Sequence, residues 1–123
     1  MDTLIMASQV VVGLGLLNVW LLRFSRSTPW RGGHAKNMRE EFAVYGLPSW
    51  LMWTVGFMKV SLALLLLAGL WVPGLAKPAA LGIMVLMLGA LSMHLKISDP
   101  WKRSVPALAL LMLSVVIALG AIA

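Results

Sequence analysis

Four apolar runs, each long enough to cross a bilayer, leave this chain few ways to fold: residues 3–22, 49–71, 79–95 and 106–123. A spanning helix needs about 20 predominantly apolar residues. These runs have about 17 to 23, so the last two would stand nearly upright. Within lipid every backbone N–H and C=O must be satisfied by the chain itself, which leaves helices as the form such runs take. The expected fold is therefore an all-α integral membrane protein, a bundle of four transmembrane helices. At 123 residues, 61% of them hydrophobic, with a mean hydropathy of +0.94, residues 1–123 form a single membrane domain. The first run lacks a basic leader, carries Asp2, and continues to Leu22 with no small-residue cleavage site. It reads as a retained helix and not as a cleaved signal peptide.

The connections are as informative as the spans. Residues 72–78 are short and hold two prolines and a glycine, which end one helix and start the next, so spans two and three form an antiparallel hairpin. Arg23, Arg26, Arg31, Lys36 and Arg39 fall in the first connection, Lys96, Lys102 and Arg103 in the third, and Lys77 alone in the second. Basic connections stay in the cytoplasm, which puts both termini on the non-cytoplasmic side. The net charge of +6 is then a matter of orientation, and no nucleic-acid partner is expected. Trp20, Trp50, Trp53 and Trp71 sit at span ends, where anchoring at the lipid–water interface explains them better than a ligand cage.

The first connection is too long to be only a link. Residues 34–45 can form an interfacial helix with Met38, Phe42 and Tyr45 on one side and Lys36, Arg39 and Glu40 towards the other. Gly32-Gly33 and Gly46-Leu47-Pro48 break the chain around it. Such a helix would lie along the bilayer surface, with docking of a partner protein on Arg31, Lys36 and Arg39 as the sharper alternative. In the third span, Ala79, Gly82, Gly89 and Ser92 make a face of small residues suited to close helix packing. Met84, Met87 and Met93 read as filler at such contacts. Gly13-Leu14-Gly15 reads as packing too, for it lacks the setting of a phosphate loop.

One residue disobeys the apolar pattern. Lys59 lies roughly ten residues, about 15 Å of helix, from either end of the second span. An ionisable group at that depth costs at least ~2.5 kcal/mol and marks a functional site by default. Of the four acids, Asp2, Glu40, Glu41 and Asp99, none lies within a span, so a carboxylate can reach Lys59 only if a loop folds inward. Three states are open: a lysine left neutral by desolvation, a charged lysine facing a water- or ligand-filled cavity, or a lysine paired with an acid on another protein. Gln9, Ser114 and Ser61 are at similar depth as uncharged company.

Near the basic end, His94 closes the third span and Asn18 lies one turn inside the first, with Asp99 and Glu41 in the adjoining connections. Such a histidine can relay protons to a quinone, accept a ligand hydrogen bond, or simply bond a loop carboxylate. A metal site is not expected, since His34 is the only other imidazole and no ligand spacing is present. Catalytic residues are not expected either: there is no Ser-His-Asp set, and the adjacent Glu40 and Glu41 point to different helix faces. Cysteine is absent, which removes disulfides, thiolate metal sites and cysteine nucleophiles.

The order of several short segments resembles the DoxX-like family of small bacterial membrane proteins. They are Glu-Glu-Phe-Ala-Val-Tyr-Gly-Leu-Pro at 40–48, Gly-Phe-Met-Lys at 56–59, Gly-Leu-Trp-Val-Pro at 69–73, Pro-Ala-Ala-Leu-Gly at 78–82, and Met-Leu-Gly-Ala-Leu-Ser-Met-His at 87–94 followed by Asp99-Pro100. Many relatives carry glutamate where this chain has Lys59, so carboxylate proton chemistry does not transfer to it. The resemblance implies a four-helix bundle in the bacterial inner membrane. It also implies links with thiosulfate:quinone oxidoreductase, with membrane anchors of soluble redox enzymes and, at greater distance, with receptor-assembly chaperones.

The function expected is a non-catalytic or weakly catalytic accessory subunit that anchors a redox partner on the cytoplasmic side and holds a lipophilic molecule such as a quinone, with no covalent cofactor. Lys59, Gln9 and Ser114 would line the ligand site, and His94 and Asn18 would connect it to the cytoplasm. The alternatives are an assembly factor pairing Lys59 with a client helix, and a small-solute carrier, for which a homo-oligomer could line the pore.

Overall fold

The computed structural model describes residues 2–25 and 31–120. Arg26 and the last three residues of the fourth expected span lie outside them. Among the described residues, four helices are long and apolar enough to cross a membrane: Thr3–Leu22, Ser49–Ala68, Ala76–Lys96 and Trp101–Gly120. No strand occurs among the described residues. The chain is an all-α, multi-pass membrane bundle.

The first span is α1 (Asp2–Leu17), continued by a π-helical turn at Asn18–Leu22. A short α2 (Met38–Val44) follows in the first connection, then α3 (Ser49–Ala68), α4 (Ala76–Lys96) and α5 (Val105–Gly120), the last entered through a 3-10 turn at Trp101–Ser104. The second span ends three residues before Trp71, because the chain turns through a 3-10 segment at Pro73–Leu75 and restarts as α4 ahead of Pro78. α1 packs against α3 and α5, and α4 packs against the same two, so the four spans form a ring with α1 and α4 diagonal.

Small residues set how closely the ring closes. A Cβ on Gly13 would fall 2.7 Å from the Leu67 side chain, and one on Gly82 2.9 Å from Leu62. The small-residue face of α4 is thus used for packing at Gly82, as membrane helices require without a hydrophobic driving force. At Gly89, by contrast, an added Cβ would meet nothing within 4 Å. The face opens there.

Two buried clusters bracket that opening. Val12, Leu16, Ala63, Leu66, Ile83, Met87 and Ile117 belong to the larger one, in the half of the bundle nearer the α3–α4 hairpin. Trp20, Met38, Phe42 and Met52 make the smaller one at the basic end. α2 is shorter than the sequence pattern allows, because Asn37 caps it: its side chain accepts from the Glu40 N–H at 2.9 Å. Gly46, with φ +77°, ends it. Its Met38 and Phe42 are buried against the ends of α1 and α3, so α2 closes the basic end of the bundle.

Candidate functional site

Between the two clusters the ring holds a partly open cavity of about 830 Å³, lined by all four spans and by the first connection. Its deeper wall is apolar, with Leu86, Met87, Ala90, Leu110 and Leu113. Its polar groups come from Asn18, Arg23, Lys59, His94, Arg103 and the residues around α2. Lys59 is half-buried. Side chains on a helix tilt towards its N-terminus, and that of Lys59 accordingly runs towards the basic end, where its Nζ lies 5.6 Å from the centre of the Trp20 ring. The snorkel thus runs inward, into the cavity.

Trp20 departs from the sequence expectation. Trp50, Trp53 and Trp71 are exposed, as interfacial anchors would be, but Trp20 is 7% exposed and faces the interior. Its ring lies so close to α3 that a Cβ on Gly56 would come within 2.5 Å of it. Gly56 is one turn before Lys59 on the same helix face, so the glycine that admits the ring also sets the lysine beside it. The π-helical turn that starts at Asn18, closed by the Arg23 N–H on the Asn18 carbonyl at 2.9 Å, widens the end of α1 here.

The first connection does fold inward, and it brings Glu41 to the cavity wall. The carboxylate does not bond Lys59. It accepts from Arg31 Nη1 at 2.8 Å, from the Tyr45 hydroxyl at 2.7 Å and from the Gly32 N–H at 3.3 Å. Burial and the neighbouring Glu41 push the Tyr45 phenol above its ordinary value, which keeps it a donor. Arg31, expected on a docking surface, is instead 4% exposed. It also donates to the carbonyls of Arg23 and Phe24, which ties the end of α1 to α2. Lys36 and Arg39 do remain exposed, Arg39 over the Trp53 ring at 5.3 Å.

The third connection is clasped to the first. His94 Nδ1 lies 2.8 Å from Asp99 Oδ2, and Asp99 Oδ1 accepts from the Gly33 N–H at 2.9 Å and from Arg103 at 3.1 Å. Arg103 also donates to the Gly33 carbonyl, and Lys96 donates to the Tyr45 carbonyl at 2.8 Å. Burial alone would raise the Asp99 carboxyl, but the Gly33 N–H, His94 and Arg103 outweigh it and hold it below the usual carboxylate range. With Asp99 ionised, Nδ1 is the donor, and Nε2 is left for another partner.

This depressed acidity sets a pH dependence. The contribution of Asp99 is fully present above its unfolded value of about 4 and is lost as pH falls through the lower folded value. Pepsin cutting in the first connection should therefore begin only below about pH 4. Asp99→Asn should expose that connection at higher pH as well. Equal resistance of both proteins across this range would show that Asp99 does not hold the clasp.

The structure divides the five residues expected at a ligand site. Lys59, Asn18 and His94 line one cavity. Gln9 and Ser114 do not. The Gln9 amide donates to the Leu66 carbonyl at 3.0 Å, joining α1 to α3. Ser114 is fully buried, and its hydroxyl has no partner among the described residues. Sequence reasoning missed Glu41, Tyr45, Trp20 and Arg103 as wall residues. Gly56, in step with Lys59, was the available signal that a bulky ring approaches there.

The model of the DoxX-like family matches residues 24–117. No curated protein and no solved structure gives a significant match.

Proposed function

Because the chain belongs to the DoxX-like family, we propose that it is a small accessory membrane subunit that holds a lipophilic, quinone-like molecule and receives a soluble redox enzyme at its basic end. What supports this function is the form of the cavity: an apolar chamber inside the ring of spans, with Lys59, Asn18 and His94 gathered on its wall. Pockets for lipophilic ligands combine apolar walls with a few polar groups that orient a head. Lys59 and Asn18 donate to a ring oxygen, and His94, oriented by Asp99, meets the same head from α4. The basic end faces the cytoplasm of a bacterial inner membrane, given its share of the basic residues. There Lys36 and Arg39 offer the enzyme an exposed cationic surface. Pairing of Lys59 with a client helix is less well supported, since the lysine turns into the bundle and away from lipid.

Native mass spectrometry of the protein extracted gently from its own membrane tests both halves. A quinone-sized adduct and a stoichiometric soluble partner are expected. Gly89→Leu, which adds bulk where an added Cβ meets nothing, should remove the adduct with little loss of thermal stability. A wild-type spectrum showing only phospholipid and no partner would overturn the proposal.

A further inference from the structure

The charges on the cavity wall do not balance. Arg23, Arg31, Lys59 and Arg103 line it, against Glu41 as the only acid in that wall among the described residues. Two of the cations are matched within the fold, Arg31 by Glu41 at 2.8 Å and Arg103 by Asp99 at 3.1 Å. Lys59 is not matched. Among the described residues it has no hydrogen bond and no ion pair: it contacts the Trp20 ring, and the Glu41 carboxylate acts on it only from beyond ion-pair distance. Glu41 is engaged by Arg31, Tyr45 and Gly32 and makes no bond to it. Buried charges are normally paired, because a lone one has lost its water and gained nothing in return.

We infer that the head group selected by this cavity is an anion, the ionised oxygen of a lipophilic acid, seated against Lys59 with Asn18 and His94 beside it. The inference rests on the cavity holding a lipophile and adds the charge of its head. An acid and an amine brought together out of water share one proton. Whichever of them holds it, the pair is bound by a charge-assisted hydrogen bond or its neutral equivalent, and the site as a whole gains the missing acceptor. A neutral carbonyl also accepts a hydrogen bond but leaves the positive charge uncancelled. Glu41 does not repel the newcomer strongly, since Arg31 neutralises it. Arg23, exposed at the rim, adds a second cation along the way in. An acidic lipophile free in the bilayer and the phosphate of a net-anionic lipid share this chemistry.

Two naphthoquinones with the same long 3-alkyl chain separate charge from shape: the 2-hydroxy compound is ionised at neutral pH, and its 2-methoxy ether is not. Each is titrated into the full chain in phosphatidylcholine nanodiscs, with tryptophan quenching read against empty discs. The hydroxy compound should bind about 10- to 100-fold tighter, the range for a hydrogen bond to a charged group. In Lys59→Met the two should bind alike. Equal affinity for wild-type protein would overturn the inference and leave the lipophile cavity standing. Saturable binding of neither compound would overturn both. The wild-type comparison needs no variant to fold. Repeating it with phosphatidylglycerol in the discs identifies the source: displacement of the hydroxy compound supports the phosphate of a net-anionic lipid as the anion, and an unchanged titration supports a free lipophilic acid.

Discussion

Arg31→Met is expected to open the first connection while the four spans stay helical. The guanidinium is 4% exposed and holds Glu41 at 2.8 Å together with two carbonyls at the end of α1. Removing one member of a buried ion pair costs about 3–5 kcal/mol, because the other is left charged without its partner. Here the stranded group is Glu41, whose remaining donors are Tyr45 and the Gly32 N–H. Limited proteolysis should cut the variant in this connection, while circular dichroism shows unchanged helix content. Adding Glu41→Gln should recover most of the protection, since the residual amide no longer carries a charge. Continued resistance of the single variant would mean that the hydrophobic seat of α2, Met38 and Phe42 against Trp20 and Met52, holds this region without the pair.

Lys59→Met is expected to make the protein more stable and less able to hold its ligand. Relieving a lysine at that depth is worth about 2.5–3.5 kcal/mol on insertion scales. Methionine fills similar space and packs readily against irregular apolar walls. Thermal unfolding in detergent should therefore shift upward, while ligand retained through purification falls about 10-fold or more, the effect of losing a hydrogen bond from a charged donor. This opposite movement distinguishes a binding group from a structural one. Loss of stability together with ligand would assign Lys59 to holding Trp20 in place. No change in either would remove it from the site.

Much of the fold follows from local pattern. The spans were legible because about 20 apolar residues have one solution in lipid, and the α3–α4 hairpin because proline and glycine cannot continue a helix. The structure moved their ends by a few residues: the second span stops at Ala68, and the third begins at Ala76. α2 was legible from Met38, Phe42 and Tyr45 at helical spacing. What its apolar side would cover was not, because lipid and the bundle's own end are equally apolar destinations.

The candidate site divides in the same way. By itself the sequence determined that Lys59 lies deep in a span with no acid at its level, and that His94 and Asn18 lie near the basic end. Depth is a property of position along one helix, so it can be counted. Direction cannot. Only the tertiary structure decided that Lys59 turns inward to Trp20, that Gln9 and Ser114 stand apart from it, and that Arg31 is paired with Glu41 of α2. Those outcomes depend on the rotation of each helix about its axis and on which connection folds over the ring. Both are set by packing between segments far apart in the chain, such as Gly56 against Trp20 and Gly33 against Asp99.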